Sequence, residues 1–492
     1  MYYEVNFQSF PSRLHPKNDE YYSYPLTDYY ISSSHNTYLL GRQVGGESSV
    51  EGYIRALRRG CRCVEIDVWD ASNDSGEPVV NHGRTFSKSI KFSDVISAIK
   101  RYAFVTSPYP VILSLEINCS SSFQKKLVAI LKEMLGDDLV SEVIDEAPVL
   151  PSPQELKYKY LVKVKKTSKY KELYETEDGS YTTSSSTTPT SFSEDSARSN
   201  GSLSITSLRR GTAPKVIEIL SQLGVYVQGI KFRNFSLPES KVYNHCFSLS
   251  EKTINKMLKD EIKRTSLDKH NRKYFVRVYP SKFRLKSSNF NPINYWKIGV
   301  QMVATNWQTY DLGQQLNEAM FDGVGIYKSG YVLKPSSLRK PVIKTSKLYK
   351  MPPLHVEMMQ LSITIVSAHN LPTHEGETIN PFVTLEVIGA DSVHWENPKM
   401  ESGRTRSLSL SSCRTGDATW EETFVAEMIG SRDFTFVKFV VNSTSLEKAD
   451  VQQLGLVVVK LDYMEPGYRT LHLHDHNGEQ MPDTSLSVKI NS

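Results

Sequence analysis

Three stretches of the 492-residue chain place polar side chains two residues apart inside apolar runs. They are Glu65 and Asp67 in CVEIDVWD, Lys163 and Lys165 in YLVKVKK, and Arg277 and Tyr279 in YFVRVYP. Positions i and i+2 face the same side of a strand, so each pair shares a face, while Val64, Ile66, Val68, Val162, Val164, Val276 and Val278 take the other. A fourth run, VILSLEI, carries the lone carboxylate Glu116 near its end. Two His-bearing loops follow apolar segments: ISSSHNTYL with His35 and Asn36, and VVNHGRTF with His82. Carboxylates with an amide oxygen are hard ligands that suit Ca2+ or Mg2+ rather than zinc. Paired histidines can do general acid–base work on a phosphodiester, and Lys and Arg make strong charge-assisted bonds to phosphate. Any one pair alone reads as a solvated or ion-paired strand face, and a lone His as a structural residue. Four polar-tipped strands in one chain make that reading less comfortable.

The elements that would have to position these residues alternate between strand and helix. Cys63–Asp70, Val111–Ile117 and Tyr160–Lys166 read as strands, as do VYVQGIKF and YFVRVYP. Val50, Tyr53, Ile54 and Leu57 repeat at helical spacing, as do Phe123, Leu127, Ile130, Leu131 and Met134, and Ile254, Met257, Leu258 and Ile262. A low-complexity stretch interrupts the alternation: 18 of the 32 residues from Thr176 to Ser207 are Ser or Thr. Such a segment buries too little apolar area to offset its ordering entropy and is expected to be a mobile insert. The flanking parts, 22–168 and 213–340, together have the length of a (β/α)8 barrel, about 250 residues. Strand ends at the C-terminal mouth of such a barrel are where catalytic groups gather. After a Lys- and Pro-rich linker at 341–354, residues 355–492 hold short β-rich runs without helical periodicity, which points to an all-β sandwich. The expected fold is therefore α/β, a barrel split by an insert at 169–212, followed by a sandwich.

Composition narrows the setting. No apolar run approaches the roughly 20 residues of a membrane helix, and residues 1–21 lack the layout of a secretory signal. Five scattered cysteines argue against a disulfide framework or a zinc site. A cytoplasmic protein with peripheral membrane contact is expected. The net charge is +5, but residues 170–207 carry six acidic and two basic residues, leaving the rest at +9. A basic body suits an anionic ligand or surface, with the acidic insert as an internal competitor for it.

The motifs are long enough to compare with a family. SSSHNTYL, CRCVEIDVWD, the HG of VVNHGRTF, PYPVILSLE and PSPQELKYKYLVKVKK closely resemble the X region of eukaryotic phosphoinositide-specific phospholipase C. YFVRVYPSKFRLKSSNFNPINYWKIGVQMVATNWQT and GYVLKP resemble its Y region, and the tail resembles the C2 sandwich that follows. The resemblance implies a catalytic Ca2+ held by Asn36, Glu65, Asp67 and Glu116. It implies His35 and His82 as the catalytic histidines, with Glu65 or Glu116 taking the proton of the inositol 2-hydroxyl. Lys163, Lys165, Ser248 and Arg277 would meet the ring phosphates, and Tyr279 would pack on the ring. Val44, Phe86 and Phe283 would touch the membrane at the barrel mouth.

The implied reaction is Ca2+-dependent hydrolysis of phosphatidylinositol 4,5-bisphosphate to diacylglycerol and inositol 1,4,5-trisphosphate through a cyclic phosphate, in signal transduction at the inner face of the plasma membrane. The phosphate-binding cations predict preference for this lipid over unphosphorylated phosphatidylinositol. No nucleic acid is expected as a partner, and a regulatory protein partner is left unidentified. The acidic insert is expected to shield the mouth, so that deleting 170–207 raises activity on anionic vesicles. Two other classes compete: a catalytically dead phosphoinositide-binding scaffold, disfavoured because His35, His82 and all four metal ligands are present, and a glycerophosphodiesterase barrel, which needs no Lys163, Lys165 and Arg277 clamp. Three departures stand out. About 21 residues precede the X-like region, so no pleckstrin-homology domain or EF-hand array is expected. Asn380, Asn442 and Thr444 stand where acidic ligands are common in C2 domains, so weak or no Ca2+ binding is expected there. The series His472, His474 and His476 reads as an exposed strand face rather than a metal site.

Overall fold

A computed structural model describes residues 19–72, 76–83, 89–144, 149–166, 214–322, 328–339, 344–345, 348–349, 354–372, 379–396, 403–405, 416–444 and 451–491. The expected insert at 169–212, most of the linker at 341–354, and Phe86 lie outside the described residues.

Eight parallel strands close on themselves. They are β1 (Tyr29–Ser34), β2 (Cys63–Trp69), β3 (Val111–Ile117), β4 (Tyr160–Lys165), β5 (Val227–Ile230), β6 (His245–Ser250), β7 (Phe275–Tyr279) and β8 (Met302–Thr305). Each pairs with its neighbours in chain order, β8 returns to β1, and Ser33 opposite Cys63 joins β1 to β2. Helices fill most of the crossovers: α1 (Val50–Arg58), α2 (Phe92–Tyr102), α3 (Ser121–Leu135), α4 (Glu218–Gln222), α5 (Glu251–Leu258), α6 (Glu261–Asn271) and α7 (Leu312–Phe321).

The alternation within each strand decides which way it faces. Val64, Ile66 and Val68 of β2, Leu113 and Leu115 of β3, and Val162 and Val164 of β4 turn outward. There they share a core with Tyr53, Leu57, Val95, Ile96, Ile99, Leu127 and Leu131 of the helices. Each such side chain contributes about 1.5–3 kcal/mol by leaving water. That leaves the polar i, i+2 series pointing into the barrel.

One helix reading needs correction. The repeat through Ile254, Met257, Leu258 and Ile262 is not one helix: α5 ends at Leu258, and Asp260 caps α6 by accepting from the amides of Ile262 and Lys263. Ile262, the second residue of α6, is 80% exposed. An Asp in this position satisfies otherwise orphaned amides and starts a new helix regardless of the apolar rhythm.

Beyond the barrel, antiparallel strands form a sandwich: β9 (Glu357–His369), β10 (Asn380–Ile388), β11 (Ser392–Trp395), β12 (Ala418–Gly430), β13 (Phe436–Thr444), β14 (Val451–Lys460), β15 (Gly467–His474) and β16 (Gln480–Asn491). Ile363, Trp420, Phe424, Phe439, Leu473 and Val488 are among the residues of its core. The sandwich is seated on the barrel: Phe434 meets the edge of Tyr30, Phe436 lies near Trp296, and the Tyr463 hydroxyl donates to the carbonyl of Met320. At Gly389 (φ +92) a Cβ would stand 2.0 Å from the Phe434 carbonyl oxygen, so this close approach requires glycine. His472 and His476 are exposed, but His474 is half-buried and its ring lies 6.1 Å from that of Tyr310 in the barrel, so the three do not share one solvent face.

Candidate active site

The polar series converges at the C-terminal ends of the strands. Register sets Glu65 beside Ser114 and Asp67 beside Glu116. It sets Ser114 beside Lys163, and Ser248 beside Arg277. Charged groups here are deeply buried: Glu65 is 5%, Lys163 3% and Arg277 1% exposed. Burial of this kind requires partners. Arg277 Nη2 donates to Glu65 Oε2 at 3.0 Å and to the Ser34 carbonyl at 3.4 Å. Lys163 Nζ donates to Ser114 Oγ at 3.1 Å and lies 3.8 Å from Glu116 Oε1, while Lys165 Nζ holds Glu116 Oε2 at 3.1 Å. Burial works against the Glu65 carboxylate, but Arg277, with His35, the Asn36 amide and Lys163, outweighs it and holds the pKa at about 2.

The loop after β1 threads this cluster. Asn36 sits in the left-handed region at φ +46, which Asn tolerates better than most residues. Its backbone amide donates to Glu65 Oε2 at 2.8 Å, and its side-chain amide donates to Gln43 Oε1 at 2.7 Å. The Tyr38 hydroxyl lies 2.9 Å from Asp67 Oδ2 and 3.2 Å from Asn36 Oδ1. His35 Nδ1 is 2.8 Å from Asn306 Oδ1, which also accepts from Gln43 Nε2. An amide oxygen accepts, so His35 carries its proton on Nδ1 when neutral. Tyr279 stacks parallel to His35, with centroids 6.0 Å apart, and the Arg277 guanidinium lies 5.7 Å from the Tyr279 centroid. His82 follows the short strand Val79–Val80, which pairs with the end of β2, and its ring is 6.3 Å from Tyr38. Desolvation lowers the pKa of both histidines.

The four expected metal ligands are thus neighbours, but their oxygens are engaged elsewhere: Glu65 turns to Arg277, Glu116 to two lysines, and Asn36 Oδ1 to Tyr38. Among the described residues no three His, Cys, Asp or Glu side chains stand together as a ready metal cluster. Of the four, Asp67 is the exception. Its Oδ1 is buried without a partner, and burial together with Glu65 and Glu116 holds its carboxyl well above the usual carboxylate range. An all-oxygen donor set with crowded negative charge and an orphaned buried oxygen fits a hard divalent cation.

Ser248 is half-buried on β6 across from Arg277. Val44 and Phe283 are 63% and 69% exposed on the loops after β1 and β7. Sequence reasoning missed Gln43, Tyr38 and Asn306. Asn306 had a usable signal, because it follows the apolar run MVAT as His82 follows VV.

This architecture has known counterparts. Residues 22–166 match the X domain of phosphatidylinositol-specific phospholipase C, residues 220–337 its Y domain, and residues 359–475 a C2 domain. The "1-phosphatidylinositol 4,5-bisphosphate phosphodiesterase zeta-1" of Sus scrofa is 35% identical over 95% of this chain and 75% of its own length. The chain belongs to the phosphatidylinositol-specific phospholipase C family. Proteins named "1-phosphatidylinositol 4,5-bisphosphate phosphodiesterase 1" from Candida albicans and Saccharomyces cerevisiae are 49% and 42% identical over 96% and 94% of this phospholipase C-family chain. It spans about half the length of these two relatives, 48% and 55%. The crystal structure of S. officinalis PLC21 superimposes with a TM-score of 0.72 at 29% identity, covering 95% of this chain and 55% of that one. Among the described residues no helix is long and apolar enough to cross a membrane.

Proposed function

We propose that this chain hydrolyses phosphatidylinositol 4,5-bisphosphate to diacylglycerol and inositol 1,4,5-trisphosphate through a cyclic inositol phosphate, acting peripherally at a cytoplasmic membrane face. The observation that carries the reading is the buried mouth, where three cations and three carboxylates meet beside two histidines. Asn36, Glu65, Asp67 and Glu116 would hold Ca2+, which when bound supplies Lewis-acid activation of the phosphodiester and the neighbouring hydroxyl. Lys163, Lys165, Arg277 and Ser248 bind the ring phosphates, with Tyr279 against the ring. Once Glu65 and Glu116 turn to Ca2+, a lipid without those phosphates would leave Lys163, Lys165 and Arg277 short of partners, so the unphosphorylated lipid is a poorer substrate.

Glu65 or Glu116 accepts the proton of the inositol 2-hydroxyl. His35, held through Nδ1 by Asn306, donates from Nε2 to the charged transition state in its protonated form, which the developing anion favours. His82 protonates the departing diacylglycerol oxygen, then takes a proton from water as it opens the cyclic phosphate, the reverse of the same role. The domain boundaries given above, 22–168, 169–212, 213–340, 341–354 and 355–492, belong to this reading. So does a C2 domain with a mainly structural or docking role. Asn380 Nδ2 donates to the Thr444 carbonyl, and Asn442 Nδ2 lies 3.3 Å from Thr384 Oγ1, so these amides are used inside the sandwich.

The test is release of inositol trisphosphate from mixed vesicles across a Ca2+ titration, beside His35→Ala and beside vesicles of unphosphorylated phosphatidylinositol. Ca2+-dependent release that His35→Ala abolishes supports the reading. Release without Ca2+, or equal turnover of both lipids, contradicts it.

A further inference from the structure

Beside the catalytic mouth, α5 and the loop after β7 form a second built surface. Glu251, the first residue of α5, accepts from Arg284 Nε at 2.6 Å, from Arg284 Nη2 at 2.8 Å and from the Ser281 amide at 2.7 Å. This bidentate clamp ties the loop to the helix, so Phe283 is presented from a fixed position. The clamp also uses up Glu251 and Arg284 against each other. What remains on the surface is cationic. Lys252, Lys256 and Lys259 recur at i, i+4 and i+7, one side of the helix and its C-cap, and all three are exposed. Lys252 and Lys282 approach the Phe283 ring from within 5.5 and 5.6 Å of its centroid. A groove of about 480 Å³ runs between helix and loop, lined by the three helix lysines, Phe283 and Arg284 among others. Past the C-terminal end of α5, Asp260 is paired with Lys263, and Glu261 stands exposed at the start of α6.

We propose that this flank is a second, non-catalytic contact for anionic phospholipid, one that tilts the barrel so that α5 as well as the mouth meets the bilayer. The proposal rests on the membrane reading above. An aromatic ring flanked by lysines, beside a groove whose lining carboxylate Glu251 is neutralised by Arg284, is complementary to a negatively charged lipid surface: the ring enters the interface and the lysines meet headgroup phosphates. α5 starts at the mouth and runs away from it. Its lysines therefore stand at increasing height, spanning about 10 Å at 1.5 Å per residue. This is close to the Debye length of roughly 8–10 Å, so all three feel the surface, Lys252 most and Lys259 least.

The test is flotation of the full chain with phosphatidylcholine vesicles, with and without phosphatidylserine and free of phosphoinositide, so that binding is read without turnover. Lys252→Gln/Lys256→Gln/Lys259→Gln should lower partitioning onto the phosphatidylserine vesicles roughly tenfold or more and leave partitioning onto phosphatidylcholine unchanged. Lys252→Gln alone should cost about fivefold, more than Lys259→Gln. The triple Lys→Arg variant should bind as the parent does. Parent-like binding by the triple Gln variant overturns the proposal and points to an acidic protein partner instead. An equal loss on neutral vesicles, or an equal loss in the Arg variant, also overturns it, because charge is then not the cause. A parent that binds these vesicles but hydrolyses no phosphoinositide sinks the proposed function and leaves this inference standing.

Discussion

The barrel buries charge at both ends, and the two ends treat it differently. At the floor, Arg62 is fully buried and spreads its guanidinium over the carbonyls of Leu57, Cys61, Ala103, Ser107 and Tyr109. Arg272 grips Asp268 Oδ2 at 3.0 and 2.9 Å, and Lys334 donates to the Asn271 carbonyl at 2.9 Å. At the mouth, Asp67 Oδ1 and Arg277 Nε are buried with no partner. The floor also keeps orphaned buried atoms, Asn271 Oδ1 and His270 Nδ1, but these belong to neutral side chains, while at the mouth the orphaned atoms belong to a carboxyl and a guanidinium. Buried groups left in that state destabilise a fold and persist where something else completes them. On the proposed function, the floor's charges serve the fold and the mouth's serve binding.

Mutations can break that assignment. The largest effect should come from His82→Ala at the mouth: phosphoinositide turnover falls about 10³-fold with an unchanged thermal midpoint. A matching loss of stability would mean the mouth is structural too. Next is Asp268→Asn at the floor, which takes the negative partner from Arg272. Urea unfolding should show a loss of about 3 kcal/mol, with turnover per folded molecule unchanged.

A pH series sharpens the same contrast. His270 packs among Phe235, Phe247 and His245, and burial with the nearby His245 lowers its pKa to about 3. The unfolded chain binds the proton near pH 6.5 and the folded one does not. Stability is full above about 6.5 and falls toward 3, by up to about 1.4 kcal/mol per pH unit. In His270→Phe that slope should flatten, and an unaltered slope would exclude this residue as its source. The smallest effect runs in the opposite direction. Asp67→Asn replaces a carboxyl whose ionisation is opposed by burial, Glu65 and Glu116, and should raise stability in metal-free buffer by about 1 kcal/mol. Destabilisation would show that Asp67 is held for the fold.

Much of this was legible in the sequence. Val111–Ile117 falls on its strand to the residue, and the i, i+2 pairing of Glu65 with Asp67 marks residues that do share a face. That this polar face turns inward was not legible locally. It follows from closure, because the helices cover the outside and take the Val64, Ile66 and Val68 face. Gln43 escaped because its bonds to Ser287 and Asn306 join loops far apart in the chain. The helix through Ile262 failed because periodicity does not register a cap. The engagement of Glu65 by Arg277, 212 residues away, has no sequence signal at all.

The central claim is that the mouth is completed by one divalent cation. A crystal structure of the full chain grown with Ca2+ tests it most directly. The account expects one ion bound through oxygens of Asn36, Glu65, Asp67 and Glu116, with Asp67 Oδ1 satisfied and Glu116 drawn away from Lys165. Fully occupied Ca2+ elsewhere, with the mouth still closed by the Glu65–Arg277 and Glu116–Lys165 pairs, would contradict it.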